Sequence, residues 1–187
     1  MNQTINPIAI RSKQELIQAL LDLMKTAPYC EITVKQILLE SKLSKKTFYR
    51  NFNNKDDLLD AYLDILLSKY IDGLTKRNDF RFPQILEIIS NFVITNKETL
   101  LLFWNSHLEY LILKKLNLYI LSHHYNITKN EHSRIEDYII RLNIGAIWNV
   151  LNEWMRSGAT DSIDNILSGI KSYMENIKNI DLKDIPI

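Results

Sequence analysis

The chain has 187 residues, of which 46% are hydrophobic, and a formal net charge of +1 at pH 7. This length and composition indicate a folded protein with room for a sizeable core. A net charge so close to zero excludes a molecule that is basic over its whole surface, so any contact with nucleic acid must come from a locally basic segment.

The positive charge is concentrated in the amino-terminal third. Residues 11–55 contain nine lysines and arginines against four acidic residues, a local net charge of +5, which leaves −4 for the rest of the chain. If part of this protein binds phosphate, this distribution predicts that the amino-terminal third does so.

Cysteine content and hydropathy bear on location. Cys30 is the single cysteine, which excludes an internal disulfide and favours a cytoplasmic protein. The opening residues MNQTINPI lack the basic start and apolar run of a signal peptide. The apolar stretch Leu100–Trp104 is too short to span a membrane, so no membrane partner is expected.

Helical periodicity and the scarcity of glycine and proline, four residues of each, predict an all-α fold. The first helix is predicted over Arg11–Thr26, where Ser12 and Glu15 have the spacing of a capping box. It should end before Pro28.

Residues 33–55 read TVKQILLESKLSKKTFYRNFNNK. Thr33 and Gln36 form a capping-box pattern, which predicts a helix that begins at Val34 and fades over residues 41–43. Ser44 is placed to cap a very short second helix from residue 45, and Asn54 to cap a third. Two short helices joined by a tight turn predict a helix-turn-helix DNA-binding motif.

The second of these helices should have one buried and one exposed side. Phe48 and Phe52 are four residues apart and can hold the helix onto the preceding one. Cationic, hydroxyl and phenol groups suit phosphates and base edges. The side chains predicted to face outward are Lys45, Lys46, Thr47, Tyr49 and Arg50.

The segment LSKKTFYRNFNNKDDLL, residues 43–59, resembles the recognition helix and the following helix start of the TetR family of bacterial transcription regulators. By position, the resemblance implies phosphate contacts by Tyr49 and Lys55 and a DNA-backbone contact by Thr33. It also implies a phosphate or base contact by Thr47. The base readers that it implies are Lys45 and Lys46.

This chain departs from the family pattern at two places. The family often has Ala-Gly in the turn where this chain has Ser41-Lys42, and often has Gly where Lys46 stands. Lys42 must therefore adopt a turn conformation that glycine adopts at little cost.

Longer helices are predicted after the motif. A connecting helix from Asn54 to about Arg77 has apolar residues on most of its surface and is expected to link the DNA-binding part to the rest. The helices expected after it cover residues 83–96, 97–125 (continuous or broken near Asn105), 130–156 and 162–178. The predicted domains are 1–55, for DNA binding, and 56–187, a helical domain for ligand binding and dimerisation.

The last two helices carry apolar stripes at helical spacing, which predict a four-helix dimer interface. GAIWNVLNEWMRSG, residues 145–158, also resembles a TetR subgroup that includes the activator of dihydroxyacetone kinase operons. The residues expected at the dimer interface are Ile135, Ile139, Leu142, Ile163, Ile166, Leu167, Ile170 and Met174.

Five residues are candidates for a cavity that takes a small apolar or aromatic effector, with core packing as the alternative for each aromatic ring. They are Phe103, Trp104, His107, Tyr110 and Trp148. The sequence shows no glycine-rich phosphate loop, nucleophile elbow or Cys/His metal spacing. We therefore expect no enzyme activity, cofactor or metal.

Together, the pattern and the resemblance predict a homodimeric, sequence-specific repressor on a palindromic operator, with DNA affinity modulated by a small-molecule effector in the carboxy-terminal domain. A twofold dimer would set two short reading helices about one turn of DNA (~34 Å) apart. Two alternatives stay open: a TetR-like regulator or activator whose carboxy-terminal domain binds a protein, and an all-helical enzyme that carries the amino-terminal motif.

Overall fold

The structure is a computed structural model that describes residues 7–77, 82–128 and 134–176. Within these ranges, side chains are described except at positions 69–77, 82–85, 121–128, 136, 174 and 175.

The described residues form eight α-helices and one short 3-10 helix, without a strand, so the all-α prediction is confirmed. None of these helices is long and apolar enough to cross a membrane. In chain order they are α1 (Pro7–Met24), the 3-10 helix (Tyr29–Glu31), α2 (Val34–Ser41), α3 (Lys45–Asn51), α4 (Lys55–Arg77), α5 (Phe82–Asn105), α6 (Glu109–Thr128), α7 (Arg134–Arg156) and α8 (Ile163–Asn176).

The chain divides into two compact units. The first contains residues 1–69 and 98–119, and the second contains residues 70–97 and 120–187. The start of α4 and the segment around the α5–α6 turn therefore belong with the amino-terminal helices. The predicted division at residue 55, as a boundary between DNA binding and regulation, stays a prediction.

The core of the first unit combines buried apolar side chains from α1 to α6. In it, α1 packs against α2 and α3. Tyr62 of α4 stacks on Phe103 of α5, with ring centroids 6.3 Å apart. Burial of such side chains supplies most of the stabilisation of this unit. Its completely buried large side chains are Leu16, Leu20, Ile32, Ile37, Phe48, Leu58, Leu59, Leu63, Leu67, Phe103 and Ile112.

The start of α1 differs from the prediction. In the described residues α1 begins at Pro7, and proline is favoured in the first turn of a helix because its missing N–H needs no partner there. Ser12 therefore lies inside the helix, where its hydroxyl donates to the Ile8 carbonyl oxygen (2.8 Å). The predicted capping box of Ser12 and Glu15 is wrong, and Glu15 instead accepts a hydrogen bond from Arg11 (2.8 Å).

The predicted boundary between residues 96 and 97 is also wrong, because α5 continues without interruption to Asn105. The break occurs after Asn105, where the Leu108 N–H donates to the Phe103 carbonyl oxygen (2.8 Å) and the His107 N–H to the Trp104 carbonyl oxygen (3.1 Å). His107 adopts the left-handed conformation with φ 55°. These two bonds form a Schellman motif, which ends α5.

The second unit is held in part by contacts from α5 to the α7–α8 turn. Lys97 donates to the Ala159 carbonyl oxygen (2.6 Å), and its ammonium lies 5.6 Å from the Trp154 ring centroid. The indole N–H of Trp154 donates to the Asp161 carbonyl oxygen (3.1 Å). Ser90 of α5 also donates to Asp164 at the start of α8 (2.9 Å).

Candidate nucleic-acid interface

The first helix of the motif begins and ends as its sequence predicts. The Gln36 N–H donates to Thr33 Oγ1 (3.3 Å), and the Thr33 N–H donates to Gln36 Oε1 (2.8 Å), which completes the capping box. At the other end, Lys42 adopts φ 55° and ψ 25°, the left-handed conformation expected of the turn. A lysine therefore makes the bend for which the family often uses glycine.

The second helix, α3, is fixed by a cap and two buried rings. The Thr47 N–H donates to Ser44 Oγ (3.1 Å), and the two side-chain hydroxyls lie 2.9 Å apart. Phe48 is completely buried and Phe52 is 5% exposed, with their ring centroids 6.0 Å apart. Because these two buried rings fix one side of α3 in the core, the opposite side of the helix faces solvent.

The outward side of α3 carries the side chains that the sequence indicated. Lys45, Lys46 and Arg50 are exposed and Tyr49 is half exposed, whereas Thr47 is partly buried. Lys45 lies over the Tyr49 ring, with its ammonium 5.8 Å from the ring centroid. Within the described part of the chain, Lys46 and Arg50 have no hydrogen-bond or ion-pair partner.

The electrostatics of this surface favour an anionic partner. Residues 33–50 contain five lysines and arginines and one glutamate. The α1 residue Lys13 adds a further exposed cation close to the end of α3, with its ammonium 5.9 Å from the Phe52 ring centroid. The surface therefore suits a duplex backbone, which is densely anionic.

Lys55 is oriented differently from the other cations. Its ammonium donates to the backbone carbonyl oxygens of Tyr29 (2.7 Å), Ile32 (2.8 Å) and Cys30 (3.4 Å). It also lies 4.3 Å from the centroid of the Tyr29 ring. Its donors are thus used inside the protein, which argues against the phosphate contact implied by the resemblance.

Sequence reasoning missed a second contact at the same place. The Tyr29 hydroxyl donates to Asp56 Oδ1 (2.5 Å). Burial and this hydrogen bond to a carboxylate both raise the pKa of Tyr29. Tyr29 and Asp56 are 27 positions apart in the sequence, so no local pattern could have revealed the pair.

Of the five candidate effector residues, Phe103 is completely buried and Trp104 is 9% exposed. His107 is exposed in the turn that ends α5, and Tyr110 is 59% exposed. These four residues belong to the first unit and Trp148 to the second. An effector site remains a prediction.

The residues predicted to form a dimer interface fall into two groups. On α7, Ile135, Ile139 and Leu142 are 68%, 51% and 70% exposed. On α8, Ile163 and Leu167 are buried in this single chain, at 6% and 4% exposure, and so offer little surface to a second subunit. The remaining two described positions, Ile166 and Ile170, are partly buried, and the side chain of Met174 lies outside the described residues.

Among the described residues, no three His, Cys, Asp or Glu side chains cluster in a way that could hold a metal ion.

Comparison with known proteins identifies a family match for the amino-terminal segment, residues 16–62. Residues 16–62 match the family model of bacterial regulatory proteins of the tetR family. A comparison with curated protein sequences finds no significant match.

Among solved structures, the chain is similar to one described as the dihydroxyacetone kinase operon activator DhaS. The TM-score is 0.58 and the sequence identity 20%, over 92% of this chain and 99% of that chain. At 20% sequence identity, this similarity shows a shared fold and nothing about function. The match over residues 16–62, with the helix-turn-helix geometry above, makes the chain a DNA-binding transcriptional regulator whose amino-terminal domain is of the TetR family, as the sequence resemblance predicted.

Proposed function

We propose that this regulator is a homodimer that binds a palindromic operator by placing α3 of each subunit in the major groove and that it represses the adjacent promoter. The observation that carries the proposal is the outward side of α3, where Lys46 and Arg50 are exposed above the buried rings of Phe48 and Phe52. A short helix whose buried side is fixed in the core can present the polar side chains of its exposed side to base edges in a defined orientation.

The proposed contacts divide by chemistry. Lys45 and Lys46, in the first turn of α3, reach base edges, where lysine pairs best with guanine. Arg50 and Tyr49 lie further along the helix and bind phosphate. Thr33 is the N-cap of α2, and Thr47 lies in the first turn of α3, where its N–H donates to Ser44 Oγ (3.1 Å). We assign both hydroxyls to the DNA backbone.

Dimerisation is supported by the exposed apolar side of α7. Ile135, Tyr138, Ile139 and Leu142 recur at helical spacing and are all more than half exposed. A contiguous apolar patch of this kind commonly marks a protein interface. A second copy of α7 would bury it in an isologous, twofold contact.

Repression requires only that the bound dimer occupy promoter DNA, whereas activation also needs a productive contact with RNA polymerase. We propose that a small apolar or aromatic effector relieves repression. It can do so only through a difference in its affinity for the DNA-bound and free conformations, commonly 1–3 kcal/mol. The similar structure is named for an operon activator, so the sign of regulation is tested directly with a promoter fusion in cells, with and without the regulator.

The test begins by selecting fragments from a random duplex pool with the purified protein, then measuring affinity for the enriched sequence as salt is varied. Lys46→Met should change the preferred bases, and Arg50→Met should make the salt dependence shallower by about 0.9 for each phosphate that is no longer bound. Lys114→Met, at an exposed lysine of α6, is the matched control and should bind as the unaltered protein. Failure to enrich any sequence, or equal effects of Arg50→Met and Lys114→Met, would refute the assignment.

A further inference from the structure

The ammonium of Lys55 is fully occupied by the segment that precedes the helix-turn-helix motif. A lysine ammonium has three N–H donors. The three carbonyl oxygens of Tyr29, Cys30 and Ile32 lie 2.7, 3.4 and 2.8 Å away. The Tyr29 ring covers another side of the charge at 4.3 Å.

We propose that Lys55 is a positioning residue, which fixes the start of α2 on α4 and does not bind DNA phosphate. The inference rests on the proposed function, since it concerns how α3 is oriented for DNA. It assigns to Lys55 a role different from the phosphate contact implied by the family resemblance.

The route from Lys55 to α3 is short. Ile32, whose carbonyl accepts from Lys55, directly precedes Thr33, the N-cap of α2. Ile32 is 1% exposed, so this point of the backbone is held by packing as well as by the hydrogen bond. From α2, the left-handed turn at Lys42 leads directly into α3. The hydrogen bond from Lys55 of α4 to the Ile32 carbonyl therefore sets the orientation of α2 and α3 relative to α4.

The neighbouring residue of α4 strengthens the attachment. Asp56 accepts the hydrogen bond of the Tyr29 hydroxyl (2.5 Å). Two consecutive residues of α4 thus hold the segment 29–32. Lys55 binds the backbone carbonyls of the segment, and Asp56 binds the Tyr29 side chain. The arrangement needs a compact cation, because the planar fork of arginine cannot direct three donors at carbonyls that converge on one point.

The experiment compares Lys55→Met with Lys46→Met, first without DNA. A lysine that only awaits phosphate contributes little to folding, whereas a lysine that satisfies three carbonyls does. We expect Lys55→Met to lower the melting temperature by about 5 °C or more and Lys46→Met to leave it within about 1 °C. Equal melting temperatures for Lys55→Met and the unaltered protein would overturn the proposal.

The second readout is the salt dependence of operator affinity. We expect Lys55→Met to reduce affinity about tenfold or more with an unchanged salt slope, because the number of phosphates bound stays the same. A slope shallower by about 0.9 per subunit would instead identify a phosphate contact and overturn the proposal.

Lys55→Arg separates the two roles further and decides the matter if Lys55→Met does not fold. Arginine binds phosphate at least as well as lysine, so full operator affinity in Lys55→Arg would overturn the proposal. We expect this variant to remain weakened, and Tyr29→Phe to be weakened in the same direction. If the unaltered protein selects no DNA at all, the proposed function fails, and the melting comparison still judges the positioning role.

Discussion

Replacing Lys115 with methionine should destabilise the first unit through loss of a bridge between α4 and α6. The Lys115 ammonium lies 2.9 Å from Asp60 Oδ2 and also pairs with Asp64, and its side chain is 12% exposed. Tyr119, one turn further along α6, donates its hydroxyl to Asp64 (2.5 Å). Two residues of α6 thus hold two residues of the amino-terminal half of α4.

The magnitude follows from the exposure of the partners. Breaking a fully buried ion pair costs about 3–5 kcal/mol, and an exposed pair about 0–1 kcal/mol. The cation is largely covered, but the side chains of Asp60 and Asp64 are 63% and 44% exposed, so water partly solvates the carboxylates after the change. We expect a loss of about 1–2 kcal/mol. Methionine keeps most of the apolar stem, which limits the loss of packing.

The assay is thermal unfolding followed by circular dichroism, with Lys114→Met as the control. Lys114 is the neighbouring residue and is exposed, so its removal should change stability by less than about 0.5 kcal/mol. For a chain of this length, Lys115→Met should lower the melting temperature by roughly 2–8 °C. Equal melting temperatures for the two variants would refute the reasoning.

The same cluster predicts a loss of stability at alkaline pH. Burial alone would lower the pKa of Lys115, but its hydrogen bonds to the Asp64 and Asp60 carboxylates offset this and raise it. The hydrogen bond to Asp64 and burial raise the pKa of Tyr119 to about 12. Since both pKa values are higher in the folded state, the stabilisation is complete below about pH 10 and is lost as pH rises towards 12. Tyr119→Phe should weaken this pH dependence in urea unfolding measured between pH 9 and 12.

Three further changes test other parts of the structure. Phe48→Ala removes a completely buried ring, and we expect a loss of about 3–5 kcal/mol in urea unfolding together with loss of operator binding. Lys42→Gly should stabilise the protein by about 0.5 kcal/mol, because glycine adopts φ 55° without the penalty of a side chain; a lower urea midpoint would contradict this. Leu142→Glu, at a position 70% exposed, should produce a folded monomer by sedimentation, and a dimer that persists would exclude this part of α7 from the interface.

The helix-turn-helix motif was predictable almost residue by residue because its signals are local. Thr33 and Ser44 cap the helices that follow them, and α2 and α3 begin where these caps place them. The spacing of Phe48 and Phe52 identified the buried side of α3, which left the remaining side chains outward. Caps and four-residue spacings involve neighbours in sequence, so the sequence alone contains the relevant contacts.

One local capping signal, at the start of α1, led to a wrong prediction. Ser12 and Glu15 have the spacing of a capping box, yet Pro7 starts α1 earlier and the Ser12 hydroxyl turns back to Ile8. A serine inside a helix can bond to the carbonyl four residues before it as readily as it can cap. The spacing therefore does not distinguish a helix start from a helix interior.

Lys55 illustrates a different limit. A lysine at the start of a helix behind a recognition helix is equally able to extend towards phosphate or to turn inward. The outcome depends on carbonyl groups 23 to 26 positions earlier in the sequence, which converge only after the segment between α1 and α2 has folded. The cluster of Lys115 with Asp60 and Asp64 has the same origin, since it joins helices about 50 residues apart.

The apolar sides of α7 and α8 show that periodicity identifies a side to be buried without identifying its partner. Both had helical spacing, and both were predicted to lie in the dimer interface. Ile163 and Leu167 of α8 are already covered within the single chain, whereas Ile139 and Leu142 of α7 remain 51% and 70% exposed. The hydrophobic effect is non-directional, so either the chain's own core or a second subunit satisfies such a stripe. Substitutions at the exposed α7 positions therefore test the proposed dimerisation with little effect on folding, whereas substitutions at the buried α8 positions destabilise the fold.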